Sequence, residues 1–304
     1  MKKVFIIICL VFLFGCNFEK IQNKNFEEKK QNNSKILKIE DNIGKGKENL
    51  ENIEEKEKKF DINKKIELKI ISEFQNQKIE IPNFMFHYIE DVPKNTKDKL
   101  RYNLSYSPEK FEELLKYLDE NKIETLTFWD LKEILEGKKD LPDKSVILGF
   151  DDGHLDHYTR AFPLLKKYNK KGVFFIVSSF PENDQNYMNW KQILEMQDNG
   201  QEIGGHSFSH PNLTTIDKNL LQKEILDSKK EIEEKIGKKI ISFAYPIGKY
   251  NDLVLEYTKK EYLFGRTTKF GDFIDTNNLF TIPTIRINPE TSIKSLEKYF
   301  TKKK

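Results

Sequence analysis

Two short stretches of this 304-residue chain carry groups able to hold a cation and move a proton. Phe150-Asp151-Asp152-Gly153 sets two adjacent carboxylates at the end of the apolar run Val146 to Phe150. His206-Ser207-Phe208-Ser209-His210 sets two imidazoles four residues apart, on a turn-like segment closed by Pro211. One aspartate and two histidines suffice to ligate a catalytic zinc, with a coordination position left for water. The other aspartate is then free to act as a base, which makes a metal site a candidate hydrolase. Either motif alone is weak, since paired aspartates are more often turn or cap residues. With only five histidines in the whole chain, the two motifs together point to a metal. His157 is expected at a helix start or on the surface and His154 as a pocket wall, neither as a ligand. A carboxylate and two imidazoles accept several divalent ions, with zinc the expectation.

The elements that must position these groups alternate along the chain. Strands are expected at Phe84 to Tyr88, Thr125 to Phe128, Val146 to Phe150, Val173 to Val177, Ile203 to Gly205, Ile241 to Tyr245 and Leu263 to Thr267. Helical patterns run from Pro108 to Glu120, Trp129 to Leu135, His157 to Tyr168, Trp190 to Asn199, Asp217 to Ile236 and Asp252 to Lys260. Ser107 sits where an N-cap belongs, with Pro108 in the first turn. Gly172, Gly200 and Gly237 follow their helices as C-terminal glycines do. Repeated strand–helix units imply a parallel sheet, open or closed. His87, Asp151 and Asp152, His206 and His210, and Tyr245 and Pro246 all fall at or just beyond strand C-terminal ends. Convergence of that kind favours a closed α/β barrel, where such ends share one face.

Lys2-Lys3 and the apolar run Val4 to Phe14 read as an export signal, too short to span a membrane. Cys16, after Leu13-Phe14-Gly15, reads as a lipidation site that anchors the protein at the outer membrane or cell surface; in a cell with two membranes, Asn17 after it resembles an outer-membrane sorting signal. Cys9 leaves with the signal, so no internal disulfide is expected. Residues 16–65, rich in Lys, Glu and Asn, are expected to form a disordered tether, spanning roughly 40 Å root-mean-square for about 50 residues. Residues 66–304 are long enough for one catalytic domain. The net charge of +3 comes from scattered lysines. No basic cluster interleaved with aromatics argues for nucleic acid.

Phe150-Asp151-Asp152-Gly153, His206 to His210 and Phe243-Ala244-Tyr245-Pro246-Ile247-Gly248 resemble the successive motifs of the polysaccharide deacetylases, the NodB-homology domain of carbohydrate esterase family 4. The resemblance runs from about Asn83 to Arg286 and includes Met188-Asn189-Trp190 and Glu202-Ile203-Gly204. It implies a distorted (β/α) TIM-like barrel and metal-dependent removal of acetyl groups from amino sugars in a polymer. It also implies Asp151 as catalytic base and Asp152, His206 and His210 as metal ligands. A bound divalent ion lowers the pKa of its water from 15.7 toward about 7 and polarises the amide carbonyl. An oxyanion would be met by a backbone N–H near Tyr245.

Two positions depart from the family pattern. Ala244 stands where an arginine commonly braces the base, and Ile282 to Ile287 lacks the histidine of the last motif. Met85-Phe86-His87 resembles that last motif moved to the N-terminal edge, as in the circularly permuted branch acting on poly-N-acetylglucosamine. His87 is therefore expected as general acid, with Arg266 or Arg286 replacing the missing brace. Trp190, Tyr245 and Pro246 are expected along the substrate groove. The reading is an exported, lipid-anchored, monomeric N-deacetylase of an N-acetylhexosamine polysaccharide. An O-acetyl esterase and a non-catalytic, metal-dependent carbohydrate-binding lipoprotein are its rivals.

Overall fold

The computed structural model describes residues 77–300. The expected signal, Cys16 and the tether lie outside the described residues. Seven parallel strands close into a ring: β1 Asn83–Phe86, β2 Ser145–Phe150, β3 Val173–Ile176, β4 Glu202–Gly205, β5 Ser242–Ala244, β6 Phe264–Phe270 and β7 Ile282–Arg286. Ring order follows chain order. β1 completes the circle by pairing with β7 through Met85↔Arg286 and with β2 through Phe86↔Phe150. The fold is the distorted (β/α) barrel that the sequence implied.

Two strand expectations change. Glu124–Leu126 pairs with β2 through residues 145–147 beside the ring and is no member of it. From Thr127 the chain instead enters a helix, Phe128–Leu135, because Thr127 and Asp130 form a reciprocal capping box that satisfies the first free N–H groups. β7 was not among the expected strands; it pairs on both edges despite Pro283 within it.

Alternation along the strands separates two cores. Val146, Leu148 and Phe150 of β2, and Phe174 and Ile176 of β3, pack outward in a cluster with Phe111, Leu114, Leu115 and Leu118 of the helix Pro108–Glu120. Those four helix positions make one apolar stripe. Ile147, Val173, Phe175, Ala244, Phe264 and Ile282 face the other way and pack with Phe128 and Leu131 of the capped helix. The period of two thus fixes that Asp151, in step with Ile147, continues the inward-facing set.

The helices follow the sequence expectations with two local irregularities. Helix 157–167 opens with a π turn, His157–Ala161, and a second π turn, Gln222–Asp227, interrupts the helix ending at Ile236. Ser107 caps as expected, accepting from the Lys110 N–H at 3.2 Å, and Gly237 closes its helix at φ 67°. At the end of helix 157–167 the left-handed residue is Asn169 rather than Gly172.

Phe150 stacks between Phe86 and Phe174, with ring centroids 5.1 and 4.6 Å away, and meets Phe111 edge-on at 5.7 Å. Phe150→Ala should lower the unfolding free energy by about 3–5 kcal/mol, through lost transfer energy plus a cavity that rigid strands cannot collapse. Urea unfolding of the two proteins measures the difference.

Candidate active site

The last residues of β2 and the two that follow deliver the carboxylates. Asp151 continues the strand, its N–H bonded to the Phe86 carbonyl at 2.9 Å. Its side chain forms a buried ion pair with Arg266 of β6. Arg266 is 2% exposed and its guanidinium lies 4.5 Å from the Phe175 ring centroid. β6 does not neighbour β2 or β3, so the arginine crosses the barrel interior to reach both. A Cβ on Gly149 would run into that guanidinium, which is why the position is glycine. Arg286, the other candidate brace, is exposed at the end of β7.

At Asp152 the backbone turns left-handed, φ 75°, followed by Gly153 at φ 78°. The turn carries the second carboxylate away from Arg266 and toward the loop after β4. Oδ1 of Asp152 lies 3.2 Å from His206 Nε2 and 3.4 Å from His210 Nε2. One ligand atom from each of these three residues falls within 4.8 Å of the others, a spacing that fits one shared cation. Oδ1 is buried and makes no well-directed hydrogen bond among the described residues, as a ligand oxygen awaiting an ion would be. His206 Nδ1 is 2.7 Å from the Ala244 carbonyl, which places the proton on Nδ1 and leaves Nε2 for the ion. Burial alone would raise the Asp152 carboxyl, but its contacts with His154 and His206 hold it well below the usual range. Burial likewise works to lower His206, yet Asp152 raises it on balance, whereas burial prevails at His210 and lowers it.

The histidine loop is held from beneath. Ser178 and Ser179 N–H groups bond to the Ser207 and Phe208 carbonyls at 3.0 Å each, extending the β3–β4 pairing. Glu224, from the second π turn, accepts from the Phe208 and Ser209 N–H groups at 3.0 and 2.8 Å and from Ser209 Oγ at 2.6 Å. Sequence reasoning missed Glu224. Its signal was a carboxylate on the buried face of an otherwise apolar helical stripe.

His87 follows β1 and is half-buried, with its Nδ1 buried and without a hydrogen-bond partner among the described residues. Burial lowers it to about 4, against the opposing pull of Asp151 and Asp152. Its carbonyl accepts from Nε2 of His157, which the first π turn brings beneath it. His157 is fully buried, not at the surface, and burial lowers it to about 3. His154 was expected only as a pocket wall; it is buried and its Nε2 lies 3.2 Å from Asp152 Oδ2.

The residues expected along the groove are placed differently. Trp190, at 8% exposure, packs in the outer core. Tyr245, at 2%, packs in the same core and donates its hydroxyl to the Phe280 carbonyl at 3.0 Å. Pro246 is buried as well. Trp190 opens the helix Trp190–Asp198, and Tyr245 packs against Phe243 and Tyr250 at ring-centroid distances of 5.4 and 5.2 Å. The Tyr245 N–H is also engaged, at 3.1 Å with the Arg266 carbonyl. Since proline has no N–H, the next backbone donor toward the mouth is Ile247, held at φ 59°.

A family model for polysaccharide deacetylase matches residues 138–262, a span that contains Asp151, Asp152, His206 and His210. Over that span the chain is similar to the polysaccharide deacetylases. It is 29% identical over 225 residues to the poly-beta-1,6-N-acetyl-D-glucosamine N-deacetylase of Staphylococcus aureus, covering 68% of this chain and 75% of that one. Over a shorter stretch, 120 residues, it is 34% identical to the peptidoglycan-N-acetylmuramic acid deacetylase of Bacillus subtilis, covering 39% of this chain and 44% of that one. Among solved structures, a Streptococcus pyogenes deacetylase in complex with acetate superimposes with a TM-score of 0.68 at 28% identity, over 75% of this chain and all of that one.

His157 generates a pH dependence of stability in this chain. Folded, it stays neutral down to about pH 3; unfolded, it takes up a proton near its ordinary value of about 6.5. Acid therefore favours the unfolded chain, and stability falls as pH drops from 6.5 toward 3. The loss from this one residue is about 2 kcal/mol between pH 7 and pH 5. In His157→Gln that part of the slope should vanish, as read from denaturant unfolding at the two pH values.

Proposed function

We propose that the protein is a metal-dependent N-deacetylase of an N-acetylhexosamine polysaccharide, exported and anchored by a lipid on Cys16. The observation that carries the reading is the unligated carboxylate of Asp151, fixed by Arg266 beside the Asp152, His206 and His210 cluster. A purely binding site has no use for that extra carboxylate. A divalent ion held by the cluster, zinc in our proposal, would polarise the amide carbonyl and acidify a water.

Asp151 is the base. Its pairing with Arg266 holds the carboxylate in place, positioned to accept the proton of the attacking water. The Ile247 N–H is the backbone donor proposed for the developing oxyanion. His87 is the acid that protonates the leaving amine. Because burial keeps it neutral near pH 7, it must first gain a proton, and the one taken up by Asp151 is the nearest source.

The substrate class is supported by the likeness to the staphylococcal poly-N-acetylglucosamine enzyme, together with the acid contributed by an N-terminal strand. Peptidoglycan and O-acetylated polymers are the competing substrates. Acetate release from a panel of N- and O-acetylated polymers, with and without chelator, decides among them. Asp151→Asn should abolish release while zinc remains bound, and His87→Ala should lower kcat by about 10²–10⁴. Retained turnover in Asp151→Asn overturns the base assignment, and an unchanged rate in His87→Ala returns that residue to packing. Cys16→Ser should move the protein from the membrane to the soluble fraction of fractionated cells.

A further inference from the structure

We infer that His154 is a positioning residue for the cation site, its Nε2–H holding Oδ2 of Asp152 so that Oδ1 alone faces His206 and His210. The inference rests on the reading of those three residues as the ligand set. A carboxylate ligand has two equivalent oxygens and a free torsion, and it can slip toward bidentate binding or rotate away. A hydrogen bond on one oxygen removes both freedoms. The structure supplies that bond at 3.2 Å, on the oxygen opposite the one the other two imidazoles approach.

The donor itself is fixed on both faces. His154 is 5% exposed and stacks between Tyr88, at 3.9 Å and 25°, and Tyr187, at 4.9 Å and 27°. The column continues on each side. The Arg101 guanidinium lies 3.7 Å from the Tyr88 ring centroid and is held by Glu90, and Phe180 lies 4.3 Å from Tyr187. The backbone is pinned as well: His154 and Tyr187 form an antiparallel bridge, and the Leu155 and Met188 N–H groups bond to the Asn186 and Gly153 carbonyls at 2.8 and 3.0 Å. A ring so clamped has one direction in which to aim Nε2, and that direction is Asp152. His154 is no fourth ligand, for the group that can share an ion comprises only Asp152, His206 and His210 among the described residues. Outer partners of this kind set metal affinity by factors of about 10–100.

The test is calorimetric titration of zinc ion into the full chain after chelator stripping. His154→Phe keeps the aromatic column and removes the donor; it should raise the zinc Kd about 10–100-fold, with circular dichroism and the metal-free melting temperature close to wild type. His154→Gln, which restores an N–H donor, should recover part of the affinity, an effect that mere packing would not give. Equal zinc affinity in wild type and His154→Phe overturns the inference while leaving the ligand set standing. Absence of zinc binding by the wild type overturns the ligand set and the inference together. Should neither variant fold, long-range proton–nitrogen correlation spectra of the wild type decide: a proton on Nε2 of His154 supports the inference, and a proton on Nδ1 with a bare Nε2 overturns it.

Discussion

Two carboxylates on consecutive residues must be kept from sharing a task, and everything at the mouth of this barrel serves that separation. Like charges so close would otherwise compete for one partner, and one of them would take a proton. Strand alternation aims Asp151 inward, onto Arg266, whereas the left-handed turn at Asp152 swings the next side chain out to His206 and His210. The Asp151–Arg266 pair is poor evidence for stability, because desolvating both ions offsets most of their attraction. Its value is orientation. Gly149 vacates the space, Phe175 lies against the guanidinium, and the closed interior leaves the arginine one place to go.

Closure of the ring also explains how this chain accommodates its two departures from the polysaccharide deacetylase pattern. Ala244 of β5 is the direct register partner of Arg266 on β6. The guanidinium therefore enters the interior one strand over from position 244, at the same height, and reaches Asp151. The alanine, being small, leaves it room. The displaced histidine obeys the same geometry. β1 fills the gap between β7 and β2, with Met85 opposite Arg286. A histidine two residues beyond Met85 thus stands beside the end of β7. In a closed parallel ring the chain end that supplies a strand is immaterial; only its position in the circle matters.

Much of this was legible in the sequence because the decisive signals were local. Asp151, Asp152, His206 and His210 stand at strand ends marked by apolar runs, and parallel strands with helical crossovers bring such ends to one face. Groups that act through tertiary contacts were not legible. Glu224 and His157 both reach the site from π turns, where one extra residue per turn redirects a side chain that helical periodicity would place elsewhere. His154 looked like a wall because nothing in the sequence shows that Tyr88 and Tyr187 stack on it. Trp190 and Tyr245 erred in the opposite sense: aromatics near a motif suggest a groove, but here both rings are buried in the outer core.

The backbone at the mouth adds a last constraint. Asp152, Ser207, His210 and Ile247 all adopt positive φ without being glycine. An aspartate, a serine or a histidine tolerates that region at modest cost, whereas a β-branched isoleucine does so only under compulsion. The compulsion is visible. Gly248 bonds back to the Tyr245 carbonyl at 2.8 Å, Lys249 to that of Pro246 at 3.1 Å, and the Tyr245 N–H is tied to β6. A loop over-determined in this way cannot relax when charge develops near it. The segments that carry Asp152, His206 and His210 and the Ile247 N–H are therefore held in one arrangement, and the strain they hold is offset by the two apolar cores beneath them.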